Sequence, residues 1–501
     1  MRRTWIAIAL AAGLWACGSD APEPEAKVEA PPPPPNIVLI LADDLGYGDL
    51  GSYGQTRIQT PVLDQMAREG LRFTDFHSGS TVCAPSRGAL MTGFHTGHAV
   101  VRGNREVKPM GQHPLPPESV TIAEVLRNKG YQTALIGKWG LGGPDSTGEP
   151  NLQGFDYFCG YLCQRHAHNS YPEFLFRNRD RFPLANVLPE PKREDGAGVS
   201  TQKYEYSGDL LMHEAVDFID RSAGAGPFFL AFTPTIPQAN NEGGKDGMEV
   251  PDLGPYADMD WPERQKQHAS MITRLDTGIG RLMRMLGQKG VAENTLVLFS
   301  SDNGPHAEGG NDPEFNNSNG PLRGIKRDLY EGGIRVPFIV RWPGRVAAGL
   351  RVAEPVGQVD VAPTLVELAG LPPLPAADGV SLLRADHHSL VGESSHCKAV
   401  AVLDCWPRGP GGKEFSLRTA DRTVLRQATA DGVRWRTYDR SADPAERSEE
   451  SDRLPDAEDR SVLDAVALDR QARGLALPGG EEGEHDDADE VEALRALGYV
   501  E

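Results

Sequence analysis

The sequence predicts an α/β fold, a large mixed and mostly parallel sheet sandwiched by helices, with a small antiparallel sheet towards the C-terminus. Three observations lead there. Ile37-Val38-Leu39-Ile40-Leu41 is an unbroken apolar, β-prone run, the pattern of a strand buried on both faces. Strand-like and helical patterns then alternate, as βαβ units do. From about Ala385 the texture changes to short strand-like pieces. In order, Ile122, Val125 and Leu126 lie on a helix leading to a strand at 133–136, and 228–232 reads as another buried strand. Ile272, Leu275, Ile279, Leu282 and Leu286 recur at helical spacing and feed a strand at 295–300. A further strand is expected over 336–340 and a short helix over 361–368. The pieces 415–417, 423–425 and 433–438 suit the appended sheet.

The 501 residues carry 51 Lys+Arg against 71 Asp+Glu, a net charge of −20. That balance argues against nucleic acid as a partner, because phosphate backbones need a basic footprint. Anionic small substrates remain open, since a local cation cluster can reverse the field inside a cleft. Six cysteines in so long a chain do not make a disulfide scaffold. Cys159 and Cys163 are close enough to pair, as are Cys397 and Cys405, with buried free thiols the alternative. Neither pair has zinc spacing.

Arg2 and Arg3 precede an apolar run from Trp5 to Ala16, too short to span a bilayer but of signal-peptide length. It ends Leu14-Trp15-Ala16-Cys17-Gly18, which resembles a lipoprotein cleavage box with Cys17 as the lipidated first residue of the mature chain. Ordinary secretion is the alternative. Residues 18–35 are Pro-, Glu- and Ala-rich and end in Pro31–Pro35, an extended tether reaching roughly 50 Å. The expected organisation is a signal segment over 1–17, a linker over 18–35, the main domain over 36–385, a small C-terminal subdomain over 386–455 and an acidic, mobile tail over 456–501. The expected location is that of an exported bacterial lipoprotein, periplasmic or at the cell surface and held to a membrane by its lipid.

Function is written at the strand ends. The run 37–41 closes in Ala42-Asp43-Asp44 and the run 295–300 in Ser301-Asp302-Asn303-Gly304. In open α/β sheets ligands bind at this edge. Singly, each segment is a common turn or helix-cap sequence. Together, three carboxylates and an amide brought to one edge would repel one another without a cation. Their all-oxygen character suits Ca²⁺ or Mg²⁺ rather than zinc.

Cys83 lies in Thr81-Val82-Cys83-Ala84-Pro85-Ser86-Arg87-Gly88, followed by Ala89-Leu90-Met91-Thr92-Gly93. This segment resembles the signature of the formylglycine-dependent sulfatases of the alkaline phosphatase superfamily. The resemblance extends in order through Asn36–Gly48, Gly137-Lys138-Trp139, Asp302-Asn303-Gly304 and Gly320–Gly344, and makes 36–385 the sulfatase catalytic domain. It implies that a maturation enzyme oxidises Cys83 to formylglycine, whose hydrate attacks sulfur and releases the alcohol. Loss of a proton from the second hydroxyl then expels sulfate. It further implies that Asp43, Asp44, Asp302 and Asn303 hold Ca²⁺ (or Mg²⁺) together with residue 83. Arg87 would steady the hydrate, and Lys138 and Lys326 would neutralise the sulfate oxygens. The substrate implied is a sulfated small molecule or glycan.

The histidines depart from the common family pattern. Many sulfatases have Gly-Lys-Trp-His where this chain reads Gly137-Lys138-Trp139-Gly140. A second family histidine, which protonates the leaving alcohol, is matched here by Gln238, and a carboxamide is no general acid. His306, close behind Asp302-Asn303, and His168, in Arg165-His166-Ala167-His168, are the candidate substitutes, with His306 favoured by its nearness in sequence to the metal ligands. Gly140 and Gln238 leave open a catalytically weak relative that binds sulfated ligands, and the superfamily resemblance separately leaves open a phosphatase or phosphonate hydrolase.

Overall fold

Leu39 shows why the main sheet forms where it does: Ile37, Leu39 and Leu41 face one apolar core and Val38, Ile40 and Ala42 the other. The strand they belong to is therefore buried on both sides and lies at the centre. The structure, a computed structural model, describes residues 33–384, 390–394, 414–429, 432–448 and 454–474. Among these, the main sheet has ten strands. In spatial order they are β11 (Leu350–Val352), β2 (Leu71–Phe73), β10 (Phe338–Arg341), β9 (Thr295–Ser301), β1 (Asn36–Ala42), β8 (Phe228–Thr233), β4 (Gln132–Lys138), β5 (Tyr157–Tyr161), β6 (Phe174–Arg177) and β7 (Asp180–Pro183). The five central strands from β9 to β5 are parallel, whereas β10, β6 and β7 run antiparallel to their neighbours. Two short strands, β3 (Phe76–His77) and β12 (Val356–Gly357), pair separately.

Helices α1 (Pro61–Glu69), α4 (Ser207–Ser222) and α5 (Glu263–Gln288) cover one face through Leu63, Leu211, Ile219, Leu275 and Ile279. Helices α2 (Cys83–Thr92), α3 (Ile122–Asn128) and α7 (Val361–Leu368) cover the other through Leu90, Leu126 and Leu365. The single-turn α6 (Glu331–Ile334) is wholly buried. The expected strands and helices are all present, and the strand expected over 336–340 is shifted to β10. Pro337 accounts for the shift, since it has no N–H to give a ladder.

The C-terminal sheet is antiparallel, with β13 (Leu390–Ser394), β14 (Glu414–Arg418), β15 (Arg422–Thr429) and β16 (Gly432–Asp439) in that order. Helix α8 (Ala457–Gly474) corrects part of the expectation of a mobile tail over 456–501. Leu463 and Val466 are buried with Phe415, Leu417 and Val424 of the small sheet. The acidic run at 481–490 lies outside the described residues, as do Cys17, Cys397 and Cys405. Cys159 and Cys163 are buried free thiols, so this pair is not bridged.

Glu331 ties the two sheets together. Its fully buried carboxylate accepts from Arg418 Nε of β14 at 2.8 Å and Arg335 Nη1 at 3.0 Å, contacts His77 Nε2 at 3.0 Å and accepts from Arg440 Nη2 at 3.4 Å. Burial alone would raise its pKa, but the surrounding cations hold it well below the usual carboxylate range. Removing the anion would leave buried guanidinium groups uncompensated, which costs about 3–5 kcal/mol. Glu331→Gln is therefore expected to lower unfolding stability by that amount in a denaturant titration.

Candidate active site

Parallel pairing brings the site residues together. Ala42 is level with Ser301 across the β1–β9 ladder, so Asp43-Asp44 and Asp302-Asn303 leave the sheet side by side. Lys138 ends β4, and Cys83 opens α2. Arg87 stands one helical turn after Cys83, on the same face. All ten residues of α2 are buried, and its first turn is already paired, Ala84 N donating to Asn104 Oδ1 at 2.9 Å and Ser86 N to Val82 O at 3.3 Å.

Asp43, Asp44, Cys83, Arg87, Lys138, Asp302, Asn303 and Lys326 form one hydrogen-bonded cluster, whereas His168 pairs separately with Glu242. Asp43 Oδ2 accepts from Lys138 Nζ at 2.8 Å, with Arg87 Nη2 at 3.5 Å, and Asp43 Oδ1 lies 3.5 Å from Cys83 Sγ. Asp44 Oδ2 accepts from Lys326 Nζ at 2.7 Å and Oδ1 from Asn303 Nδ2 at 2.7 Å. Asp302 Oδ2 takes both Arg87 Nε (3.1 Å) and Nη2 (2.8 Å), while its Oδ1 accepts from Asp44 N at 3.1 Å. Asp44 reaches this geometry in the left-handed region, φ 65°, a conformation that Asp tolerates better than most residues. Arg87 Nη1 also donates to Lys138 O at 2.6 Å, fixing the helix to the strand.

The electrostatics follow from burial. Asp43, Asp44, Cys83, Lys138, Asp302 and Asn303 have no exposed surface. Burial would raise Asp43, but Lys138, Arg87 and Lys326 outweigh it and hold its pKa at about 2. Burial and the neighbouring Asp43 charge push Asp302 up to about 6. Burial also drives the Cys83 thiol far above its ordinary value, so at neutral pH it is a protonated thiol and a poor nucleophile. Lys138 and Lys326 are shifted upwards because the carboxylates beside them outweigh burial, so both remain charged.

Asp43, Asp44, Cys83 and Asp302 place four ligand atoms within 4.8 Å of one another. Asn303 Oδ1 is buried without a hydrogen-bond partner beside them. Three carboxylates and an orphaned carbonyl oxygen fit a hard divalent cation of the Ca²⁺ or Mg²⁺ type. Sγ of Cys83 is the one soft atom in the set, and an oxygen at residue 83 would make the donors uniform.

The two candidate histidines differ in surroundings. His306 is fully buried and both ring nitrogens are occupied, Nε2 by Pro237 O at 3.1 Å and Nδ1 by Glu308 Oε2 at 3.1 Å. Burial opposes its charge but the Glu308 carboxylate outweighs this and raises its pKa. The ring lies against Asp44 and Glu308, where it supports the ligand loop. His168 has Nδ1 against Glu242 Oε2 at 3.1 Å, an arrangement that orients the ring and leaves Nε2 for other work. Gln238 Oε1 accepts from Lys138 Nζ at 3.2 Å.

Sequence reasoning missed Glu242, which lies in an irregular loop with no motif around it, and Gln358. The Gln358 carboxamide joins Ser86 Oγ (2.5 Å), Gly79 N (2.9 Å) and Ser301 O (2.8 Å), bracing α2 against the end of β9. No spacing rule marks either residue.

Comparison with known proteins agrees with this geometry. The family model described as Sulfatase matches residues 35–371, and that of the N-sulphoglucosamine sulphohydrolase C-terminal region matches 325–459. Human arylsulfatase A is 35% identical over 381 residues, 69% of this chain and 66% of that protein. Human N-acetylgalactosamine-6-sulfatase is 34% identical over 386 residues, 73% of this chain and 66% of the relative. The chain thus spans just under two thirds of the length of each. The crystal structure of Ps i-CgsB shares the fold with a TM-score of 0.69 at 24% identity, over 93% of this chain and 97% of that one. With its matched family model, its relatives and a carboxylate–lysine cluster at the C-terminal edge of a mostly parallel sheet, the chain belongs to the sulfatase family of the alkaline phosphatase superfamily.

Proposed function

We propose that the protein is a sulfuric ester hydrolase that removes sulfate from a sulfated carbohydrate, with residue 83 acting as formylglycine after oxidation of Cys83 by a maturation enzyme. The observation that carries this reading is Cys83 itself. A buried, protonated, soft thiol amid hard oxygen donors suits neither nucleophilic attack nor Ca²⁺ (or Mg²⁺) binding, whereas an oxygen-bearing side chain there suits both. A divalent cation held by Asp43, Asp44, Asp302 and Asn303 would supply Lewis-acid activation of the residue-83 oxygen.

The chain's own residues supply the rest. Lys138 and Lys326 stay charged and neutralise the sulfate oxygens. Arg87 holds Asp302 and β4 in register with residue 83. His168, oriented by Glu242, delivers a proton from Nε2 to the departing alcohol oxygen, a role to which the fully engaged His306 is less suited. The carbohydrate assignment takes support from the N-acetylgalactosamine-6-sulfatase relative and from the proposed position of the protein on a membrane surface, tethered through lipidated Cys17.

Mass analysis of the peptide around residue 83, purified from a host with the maturation enzyme, is expected to find an aldehyde in place of the thiol. Cys83→Ala should abolish turnover of nitrophenyl sulfate, and exhaustive chelation should do the same reversibly. Full activity in either case would overturn the assignment. His168→Ala should slow hydrolysis of a sugar sulfate roughly 10²–10⁴-fold while leaving nitrophenyl sulfate, whose leaving group needs no proton, almost unchanged. Equal losses on both substrates would mean that His168 does not act as the acid. Radiolabelled fatty acid should enter the wild type but not Cys17→Ala, and equal labelling of the two would remove the anchor.

A further inference from the structure

The Ser301 hydroxyl is a fully buried group that the reading above leaves unused. Ser301 closes β9, level with Ala42 of β1 across the parallel ladder, and immediately precedes Asp302-Asn303. Its Oγ serves both strand ends at once, accepting from Leu45 N at 2.9 Å and donating to Asn303 O at 2.9 Å. One atom thus joins the backbone just after Asp43-Asp44 to the backbone of Asn303. The Ser301 carbonyl is held as well, by Gln358 Nε2 at 2.8 Å.

The turn after β1 needs such support. Asp44 stands at φ 65°, a left-handed conformation that a residue other than glycine keeps only where its surroundings over-determine it. Three successive N–H groups there each donate to a side chain: Asp44 N to Asp302 Oδ1 at 3.1 Å, Leu45 N to Ser301 Oγ at 2.9 Å and Gly46 N to Asp49 Oδ2 at 2.7 Å. The three acceptors are not equivalent. Asp302 is itself one of the proposed ligands, so a cation would draw on the same carboxylate. Asp49 belongs to the turn's own loop and ties that loop only to itself. Ser301 alone of the three lies on the other strand, carries no charge and is not a proposed ligand, so its hold on the turn is the same with or without a cation.

We propose that Ser301 is a positioning residue whose hydroxyl sets the spacing between the Asp43-Asp44 and Asp302-Asn303 pairs, so that their oxygens are gathered before a divalent cation binds. The inference rests on the reading above, in which these four side chains hold Ca²⁺ (or Mg²⁺). Ligands fixed by outer partners lose less freedom on binding, and loss of such a partner weakens a metal site. Ser301→Ala would leave Leu45 N buried without its acceptor and take the hydroxyl donor from Asn303 O, while every ligand side chain stays in place.

The test is calorimetric titration of Ca²⁺ into the matured full-length chain after chelation. Ser301→Ala should raise the Ca²⁺ dissociation constant roughly 10- to 100-fold, and Ser301→Thr, which keeps the hydroxyl, should bind as the wild type does. Turnover separates positioning from general damage. The nitrophenyl sulfate activity that Ser301→Ala loses at limiting Ca²⁺ should return at saturating Ca²⁺, with KM unchanged. Should the Ala variant fail to fold, Ser301→Cys, close in size but a weak hydrogen-bonding group, is measured in its place. A wild-type dissociation constant in the variant, or an activity loss that saturating Ca²⁺ does not restore, would overturn this inference and leave the sulfatase reading intact. A wild type that binds neither Ca²⁺ nor Mg²⁺ would overturn both the inference and the cation site beneath it.

Discussion

Three carboxylates buried within a few ångströms of one another govern this molecule. Asp43, Asp44 and Asp302 have no exposed surface, and their charges would be prohibitive without compensation. Three neighbouring cations supply it: Arg87 on Asp302, Lys138 on Asp43 and Lys326 on Asp44. The divided response of two neighbouring carboxylates, Asp43 held at about 2 and Asp302 pushed to about 6, shows that compensation by side chains is uneven. A divalent cation, on the proposed reading, would even it out. Parallel pairing of β1 and β9 makes the convergence unavoidable, because two strands in register must end at the same edge.

This is also why so much of the site was legible in the sequence. Asp43-Asp44 and Asp302-Asn303 each follow an apolar run, and a parallel sheet converts that linear fact into adjacency without further information. Cys83 and Arg87 share a helix face through their spacing alone. The residues that escaped notice act through loops. Glu242 and Gln358 lie outside any periodic pattern, and their partners are set by how irregular segments fold back over the sheet edge. Chain proximity was a poor guide in the same region. His306 follows Asp302 and Asn303 closely in sequence, yet its ring nitrogens are taken by Pro237 and Glu308. His168, distant in sequence, is paired with Glu242 and has one nitrogen unused by that pair.

The small C-terminal sheet contributes to the site without entering it. Lys326 lies in a loop that returns to α6, and the loop is held from behind: Arg323 N donates to Ala445 O at 3.2 Å, Arg323 Nη1 to Glu446 O at 3.2 Å, and Glu331 N to Glu446 Oε2 at 2.9 Å. Arg418 adds the buried ion pair to Glu331 and a bond to Leu329 O. The appended sheet is therefore a clamp on the segment that carries one of the two lysines, and its buried charges tie its packing to the geometry of that segment.

Recognition and proton delivery are separated in this arrangement. Cations surround the place proposed for the sulfate, and the carboxylates beside Lys138 and Lys326 shift both upwards, away from neutrality. The imidazole proposed as acid stands in the neighbouring loop with its own carboxylate. Such a division permits the cations to stay fixed in the buried cluster while the leaving-group side varies with loop sequence. Gly140, at φ +81° and with Gln164 Nε2 2.0 Å from where a Cβ would stand, keeps the end of β4 free of a side chain.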